Sequence, residues 1–477
     1  MHELKAPLLI EKCKLVATGT EELAHADVLI DGTRFVEAGA GLREKHRLPA
    51  DTPTIDGRGH LAVPGFVNTH HHMWQVLTRS IRRVQNSKLF EWLVEQYNIW
   101  IEVDEEAVHA ATRIAFAELL LTGCTTTSDH HYLWPAKAPK TLLDEQFRIA
   151  AEMGIRFYPT RGSMTLGVKD GGLPPMELVE DDDTVLAECE RLAKKFHDPS
   201  DGSMRRIALA PCSPFNVTQR LFVESARLAR AHGLRLHTHL AETDDEDAYC
   251  LEKYGCRPFD FIARLDWEGP DVWLAHCVKL NGQEIARMAR AGMSVAHCPS
   301  ANARLGSGIA PVREMLRAGV GVSIGVDGSA SNDSGSYVSE MRTALMMQRS
   351  RGGHDAITCR EVLRLATQGG AAVLGNPALG RIAPGAPADV VLFDMEQIGY
   401  AGGPSTDPVA ALILCGTSHH CAWSIINGRV VVERGKLVGV PERALVSACN
   451  AQTERLLGIA TKRFGIDYSV ALDRPGE

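Results

Sequence analysis

Apolar positions along this chain follow two rhythms. Near both ends, short apolar runs alternate with turn residues: PLLIEKCKLVAT, HADVLIDGTRFVEAGAG and PTIDGRGHLAVPG early, PGAPADVVLFD (384–394) and SIINGRVVVERGKLVG (424–439) late. Runs bounded by Asp-Gly and Gly-rich turns predict short antiparallel strands, and Asn427-Gly428 is a strong hairpin signal. The two ends are expected to meet in one small β-sandwich domain, built from residues 1–65 and 381–477, with a helix at the end of the second part.

The middle of the chain, residues 66–380, reads differently. VDEEAVHAATRIAFAELLLTG (103–123) has helical apolar spacing, an N-cap at Asp104 and a stop at Gly123. QRLFVESARLARAHG (219–233) and NGQEIARMARAG (281–292) repeat that rhythm. Between such helices lie short strands: TTTSDHH, IRFYPTRG (155–162), LRLHTHLAE (234–242), VWLAH (272–276), MSVAHCP (293–299) and VGVSIGVDG (320–328). Strands alternating with helices predict parallel β/α units. His70, His72, His130, His131, Arg161, His239, Glu242, His276, His297 and Asp327 all fall at or just past the C-terminal ends of these strands. In a (β/α)8 TIM-type barrel those ends converge on one face, where the active site is built. An open doubly wound sheet is the rival fold, and it gathers polar ends from successive strands less economically. The Gly/Pro-rich and then acidic stretch GVKDGGLPPMELVEDDD (167–183) reads as a long loop over the catalytic face.

Composition removes several classes of function. A net charge of −8 over 477 residues gives no basic footprint for nucleic acid. No run of about 18 apolar residues predicts a membrane span, and Glu11, Lys12 and Lys14 interrupt any signal-peptide core. Twelve cysteines without a CxxC pair suggest reduced thiols and a cytoplasmic address. A metal in this chain is therefore held mainly by histidines and carboxylates.

Four short stretches carry the candidate chemistry. In Asn68-Thr69-His70-His71-His72, residues two apart on a strand point the same way, so His70 and His72 can address one metal. Leu236–Glu242 (LHTHLAE) closes an apolar strand with His239 and sets Glu242 three residues on. Val272–His276 closes on a histidine, and Ile324–Gly328 (IGVDG) ends on Asp327, a carboxylate expensive to bury without a partner. Each stretch alone also fits an ordinary core or surface residue. Together, His70, His72, His239 and Asp327 make a mononuclear site for one divalent metal per subunit, zinc or alternatively iron(II). Glu242 is then placed to move protons, and His276 to orient water or polarise the leaving group's carbon.

In that order, PGFVNTHHH, HTHLAE, LAH and GVDGSASND resemble the amidohydrolase superfamily over essentially the whole chain. THHHMWQVLTR (69–79), GCTTTSDHHYLWP (123–135), TRGSMTLGVKDGGLPP (160–175) and ALAPCSPF (208–215) are similar to its branch of 8-oxoguanine deaminases and s-triazine hydrolases. The resemblance implies that His70, His72, His239 and Asp327 bind metal, that Asp327 takes a proton from the attacking water, and that Glu242 marks the deaminase branch. It also implies a small heterocyclic substrate with an exocyclic amine: 8-oxoguanine first, isocytosine or ammeline as smaller rings. An s-triazine hydrolase expelling chloride or an alkylamine, or a guanine or isoxanthopterin deaminase, is the alternative. Relatives of this kind are often homo-oligomers.

Three residues are expected to contact that substrate. Gln75 matches a contacting position in the branch, and its amide offers both a donor and an acceptor. Trp92 reads as a pocket aromatic or a helix core residue. Arg161 reads as a contact to a substrate carbonyl or as half of a structural ion pair.

Overall fold

A computed structural model describes residues 7–415 and 420–472; the rest of the expected terminal segments (1–6, 416–419 and 473–477) lies outside the described residues. Strands from both chain ends share one nine-stranded sheet, in the order Lys436–Leu437, Arg429–Glu433, Trp423–Ile426, Val390–Asp394, His60–Pro64, Leu8–Ala17, Glu22–Asp31 and Arg34–Gly39, with Thr54–Asp56 beside Leu8–Ala17. The two halves join where Val390–Asp394 runs antiparallel to His60–Pro64, with Val391 opposite Val63. Alternation explains why this joint is buried on both faces. Val390 and Leu392 enter the sheet's own core with Ile10, Val28 and Ile425, whereas Val391 and Phe393 enter the large central core. The hairpin after Trp423–Ile426 turns through Asn427 and Gly428 at φ of 49° and 77°, the paired positive values that an Asn-Gly turn supplies.

The central strands pair in parallel. Phe66–Asn68 lies beside Cys124–Thr127, and that beside Arg156–Phe157. Further along, His130–His131 pairs with Thr160–Ser163. From there Ala208–Pro211, Leu236–Leu240, Val272–His276, Ser294–His297 and Gly321–Ile324 follow in order. Asp327–Gly328 pairs in parallel with His71–His72.

Helices separate most of these strands. Glu105–Leu121 begins where the Asp104 carboxylate accepts from the Ala107 N–H, and Gly282–Ala291 begins in a capping box of Asn281 and Glu284. The stretch at 167–183 carries two short 3-10 turns, Val168–Asp170 and Met176–Leu178, before a helix starts at Asp182. The terminal helix Glu442–Phe464 buries Leu445, Cys449, Leu456 and Ala460, and Arg455 reaches Asp104 at 2.8 Å. No described helix is long and apolar enough to cross a membrane.

The terminal sheet and the central strands are tied by one buried ion pair. Arg156, fully buried, donates to Asp389 Oδ2 at 2.7 Å and to the carbonyls of Ser203 and Gly202 at 3.0 and 3.2 Å. The second oxygen of Asp389 accepts from the Asn427 N–H at 2.8 Å.

Candidate metal centre and active site

The strand ends bring His70, His72, His239 and Asp327 together. His72 Nε2 and His239 Nε2 face each other at 3.1 Å, and Asp327 Oδ1 lies 3.4 Å from His70 Nε2 and 3.3 Å from His72 Nε2. The opposite nitrogens are committed elsewhere. His72 Nδ1 donates to the His130 carbonyl at 2.9 Å, and His239 Nδ1 to the Cys212 carbonyl at 2.7 Å. A carbonyl only accepts, so both Nδ1 atoms carry the proton and both Nε2 atoms are bare lone pairs. Two lone pairs at 3.1 Å repel unless a cation lies between them. His70 Nε2 adds a third buried nitrogen with no partner among the described residues.

Donors about 2.0–2.1 Å from zinc at tetrahedral angles stand about 3.3 Å apart, which is the spacing of this cluster. Three imidazoles and a carboxylate suit zinc or iron(II). The residues fit a metal. Burial holds the His70 and His72 imidazoles well below their ordinary range and His239 at about 4, so all three are neutral and able to ligate. Burial pushes the Asp327 carboxyl up, but His276 and a hydrogen bond from the Gly328 N–H help to hold it below its ordinary value on balance.

Two more groups lie near the cluster. His130 offers a nitrogen within 4.8 Å of the other three, but its Nε2 donates to the Ala210 carbonyl and its ring stacks on His239 at 4.7 Å. Cys298 lies as close to His70 and Asp327, with its thiol pushed far up by burial. His131 packs edge-on against Trp74 and Trp134.

Glu242 and His276 sit beside the cluster. Glu242 Oε2 is 3.5 Å from His276 Nε2, and Asp327 Oδ2 is 3.9 Å from the same nitrogen. His276 Nδ1 pairs with the Asn302 side-chain oxygen at 2.9 Å, and Ser307 Oγ donates to Glu242 Oε1 at 3.4 Å. Burial raises the Glu242 carboxyl; His276 opposes the shift, and the charge of Asp327 adds to it. The backbone here is unusual. Ala241, His276, Cys277 and Asp327 all adopt positive φ, between 51° and 70°, although none is glycine. Such conformations persist only where surrounding bonds over-determine them. Glu246 supplies two of those bonds, accepting from the N–H groups of Ala241 and Glu242 at 3.0 and 2.8 Å.

Above these groups opens a cavity of about 420 Å³, its mouth included. Gln75 and Trp92 both line it, as do Tyr132, Asn216 and Ser331, which carried no recognisable sequence signal. Gln75 lies so close over Gly328 that a Cβ there would fall 1.8 Å from its Oε1, so only glycine admits this side chain. Gln75 Oε1 and Trp92 Nε1 are buried and have no partner among the described residues.

Arg161 is not where a substrate contact requires it. Its guanidinium is fully buried, held by Glu180 through two bonds of 2.9 and 2.8 Å and stacked 4.0 Å from the Trp134 ring centre. It is absent from the cavity lining. Of its two expected readings, the structural ion pair is the one observed, because the 3-10 segment after Gly167 folds Glu180 back onto it.

Comparison with known proteins follows the same lines. The sequence profile of the Amidohydrolase family matches residues 61–431. An 8-oxoguanine deaminase of Pseudomonas aeruginosa is 44% identical over 414 residues, 85% of this chain and 91% of that protein. A hydroxydechloroatrazine ethylaminohydrolase of Pseudomonas sp. (strain ADP) is 38% identical over 408 residues, 84% of each chain. Among solved structures, the atrazine chlorohydrolase of Arthrobacter aurescens TC1 complexed with zinc superposes with a TM-score of 0.88 at 33% identity, covering 94% of this chain and all of that one.

Proposed function

Because the chain belongs to the amidohydrolase family and is a hydrolase acting on C–N bonds, we propose that it converts 8-oxoguanine and water to urate and ammonia. Isocytosine and ammeline present the same N=C(NH2)–N fragment in a smaller ring. The observation that carries this reading is Glu242, a carboxyl raised by burial, standing 3.5 Å from His276 beside the neutral histidine cluster. A carboxyl shifted in that direction holds its proton more readily than a free one and can deliver it to a ring nitrogen. Here the parallel pairings are read as a closed (β/α)8 barrel over 66–380, and the terminal sheet as a β-sandwich from 1–65 and 381–477.

His70, His72, His239 and Asp327 would hold one zinc or iron(II) ion, with His130 packing the His239 ring. When bound, that ion supplies hydroxide at neutral pH. Asp327 accepts the proton of the attacking water, and His276 steadies the developing oxyanion. Glu242 protonates the ring nitrogen next to the amidine carbon. As the C–N bond breaks, the proton held by Asp327 passes to the leaving amine, which departs as ammonia, and the added hydroxyl gives its proton to Glu242 as the carbon becomes a carbonyl.

The lining contains no lysine or arginine, and Asp327, held below its ordinary value, is its ionised carboxylate. That balance favours a neutral, phosphate-free heterocycle. The unpaired Gln75 Oε1 and Trp92 N–H supply an acceptor and a donor for its lactam edge. A second reading, release of an alkylamine from an s-triazine, is favoured by the ethylaminohydrolase relative and by Leu89, Leu93, Phe215 and Leu305 in the lining.

Ammonia release from zinc-loaded protein tests the proposal, with 8-oxoguanine, isocytosine, ammeline, guanine, cytosine and isoxanthopterin as the panel. Turnover strongest on 8-oxoguanine is expected. Silence across the panel with release of ethylamine from hydroxylated s-triazines would overturn it in favour of the second reading.

A further inference from the structure

Three of the four imidazoles at the centre pass their Nδ1 proton to a carbonyl oxygen: His72 to His130, His239 to Cys212, and His276 to the side chain of Asn302. His70 differs. Its Nδ1 faces another imidazole, His237 Nε2, at 2.8 Å. His237 Nδ1 in turn faces the Trp273 carbonyl at 2.8 Å.

Donor and acceptor roles along this chain are forced. The Trp273 carbonyl cannot donate, so the proton of neutral His237 sits on Nδ1 and its Nε2 is a lone pair. His70 must then carry its own proton on Nδ1. Its Nε2 is left as a lone pair aimed at the cluster, 3.4 Å from Asp327 Oδ1 and without a partner among the described residues. The relay is also held mechanically. The His237 ring stacks on the Trp273 indole, 4.4 Å between centres and 15° between planes. Trp273 Nε1 donates to the carbonyl of Thr69, the residue before His70, at 3.2 Å. One indole therefore braces both the His237 ring and the backbone that presents His70.

Resting on the metal reading above, we infer that His237 is a positioning residue. It selects the Nδ1–H tautomer and the ring angle of His70, and so sets the affinity of the metal centre without contributing a ligand. Residues in this outer position typically change metal affinity when lost, because the ligand's proton can migrate to the nitrogen that should bind. In His237→Phe the stack on Trp273 is kept but the acceptor is gone, so His70 Nδ1–H is either buried unpaired or exchanged for the non-ligating tautomer. In His237→Gln an amide oxygen can still accept from His70 while the amide N–H donates to Trp273.

The test is zinc affinity, measured by chelator competition on folded wild-type, His237→Phe and His237→Gln proteins. The expected result is binding about 10–100-fold weaker in His237→Phe and within about threefold of wild type in His237→Gln. Wild-type affinity in His237→Phe would overturn the inference. The tautomers are read independently of any variant, from two-bond proton–nitrogen correlations of histidine-labelled wild-type zinc protein. Both His70 and His237 should be protonated at Nδ1; an Nε2-protonated His237 would refute the relay. His70→Ala separates the two levels of argument. If it binds zinc like wild type, the metal reading itself fails; if it loses zinc while His237→Phe keeps it, only the positioning role fails.

Discussion

The junction between the terminal sheet and the central strands, and the cavity above the histidine cluster, are both buried and polar, yet they are built in opposite ways. In the ion pair at the junction every side-chain polar atom is closed: Arg156 donates through all three of its nitrogens, and both oxygens of Asp389 are engaged. In the cluster and the cavity above it, His70 Nε2, Gln75 Oε1 and Trp92 Nε1 are buried without a hydrogen-bond partner among the described residues. A buried polar group left open costs roughly 1–3 kcal/mol, so a native chain keeps one where something outside the chain completes it. Saturation marks a structural tie, and convergent open valences mark a site.

This contrast can be broken by substitution. The largest effect on turnover is expected from Glu242→Gln, which should keep its metal and lose about 10²–10⁴-fold in kcat. Metal content and ammonia release on the same sample check it, and wild-type turnover would remove the proton-transfer role. Asp389→Ala should do the reverse. Leaving Arg156 buried and unpaired should cost about 3–5 kcal/mol of stability in denaturant unfolding, with kcat little changed. A stable Asp389→Ala protein would mean that the junction is not the tie described. A smaller effect is expected from Gln75→Leu, which removes the open acceptor from the cavity. It should lower kcat/KM about 10–100-fold at unchanged stability; equal kcat/KM would place the substrate's lactam edge elsewhere.

Local features were the most legible in the sequence. Alternation predicts that His70 and His72 point the same way, and their rings do meet at 4.7 Å although His70 lies between the strands Phe66–Asn68 and His71–His72; the helix at 105–121 begins at its expected cap because an Asp side chain can accept from the third N–H beyond it. Groups completed by distant partners were not legible. Arg161 ends a strand as a catalytic residue would, and only the return of Glu180, 19 positions later, takes it out of play. His237 carried no signal of its own, because its role depends on Trp273 and His70, 36 and 167 positions away in the chain. The positive φ values at Ala241, His276, Cys277 and Asp327 carry no signature either, since glycine, the usual marker, is absent from all four.

The most direct test of the central claim is a zinc titration of chelator-stripped protein, followed by ammonia release from 8-oxoguanine. The account predicts no turnover in the stripped protein and a rise with added zinc that saturates at one equivalent per chain. Full activity without metal, or a zinc-loaded protein that releases no ammonia, would contradict it.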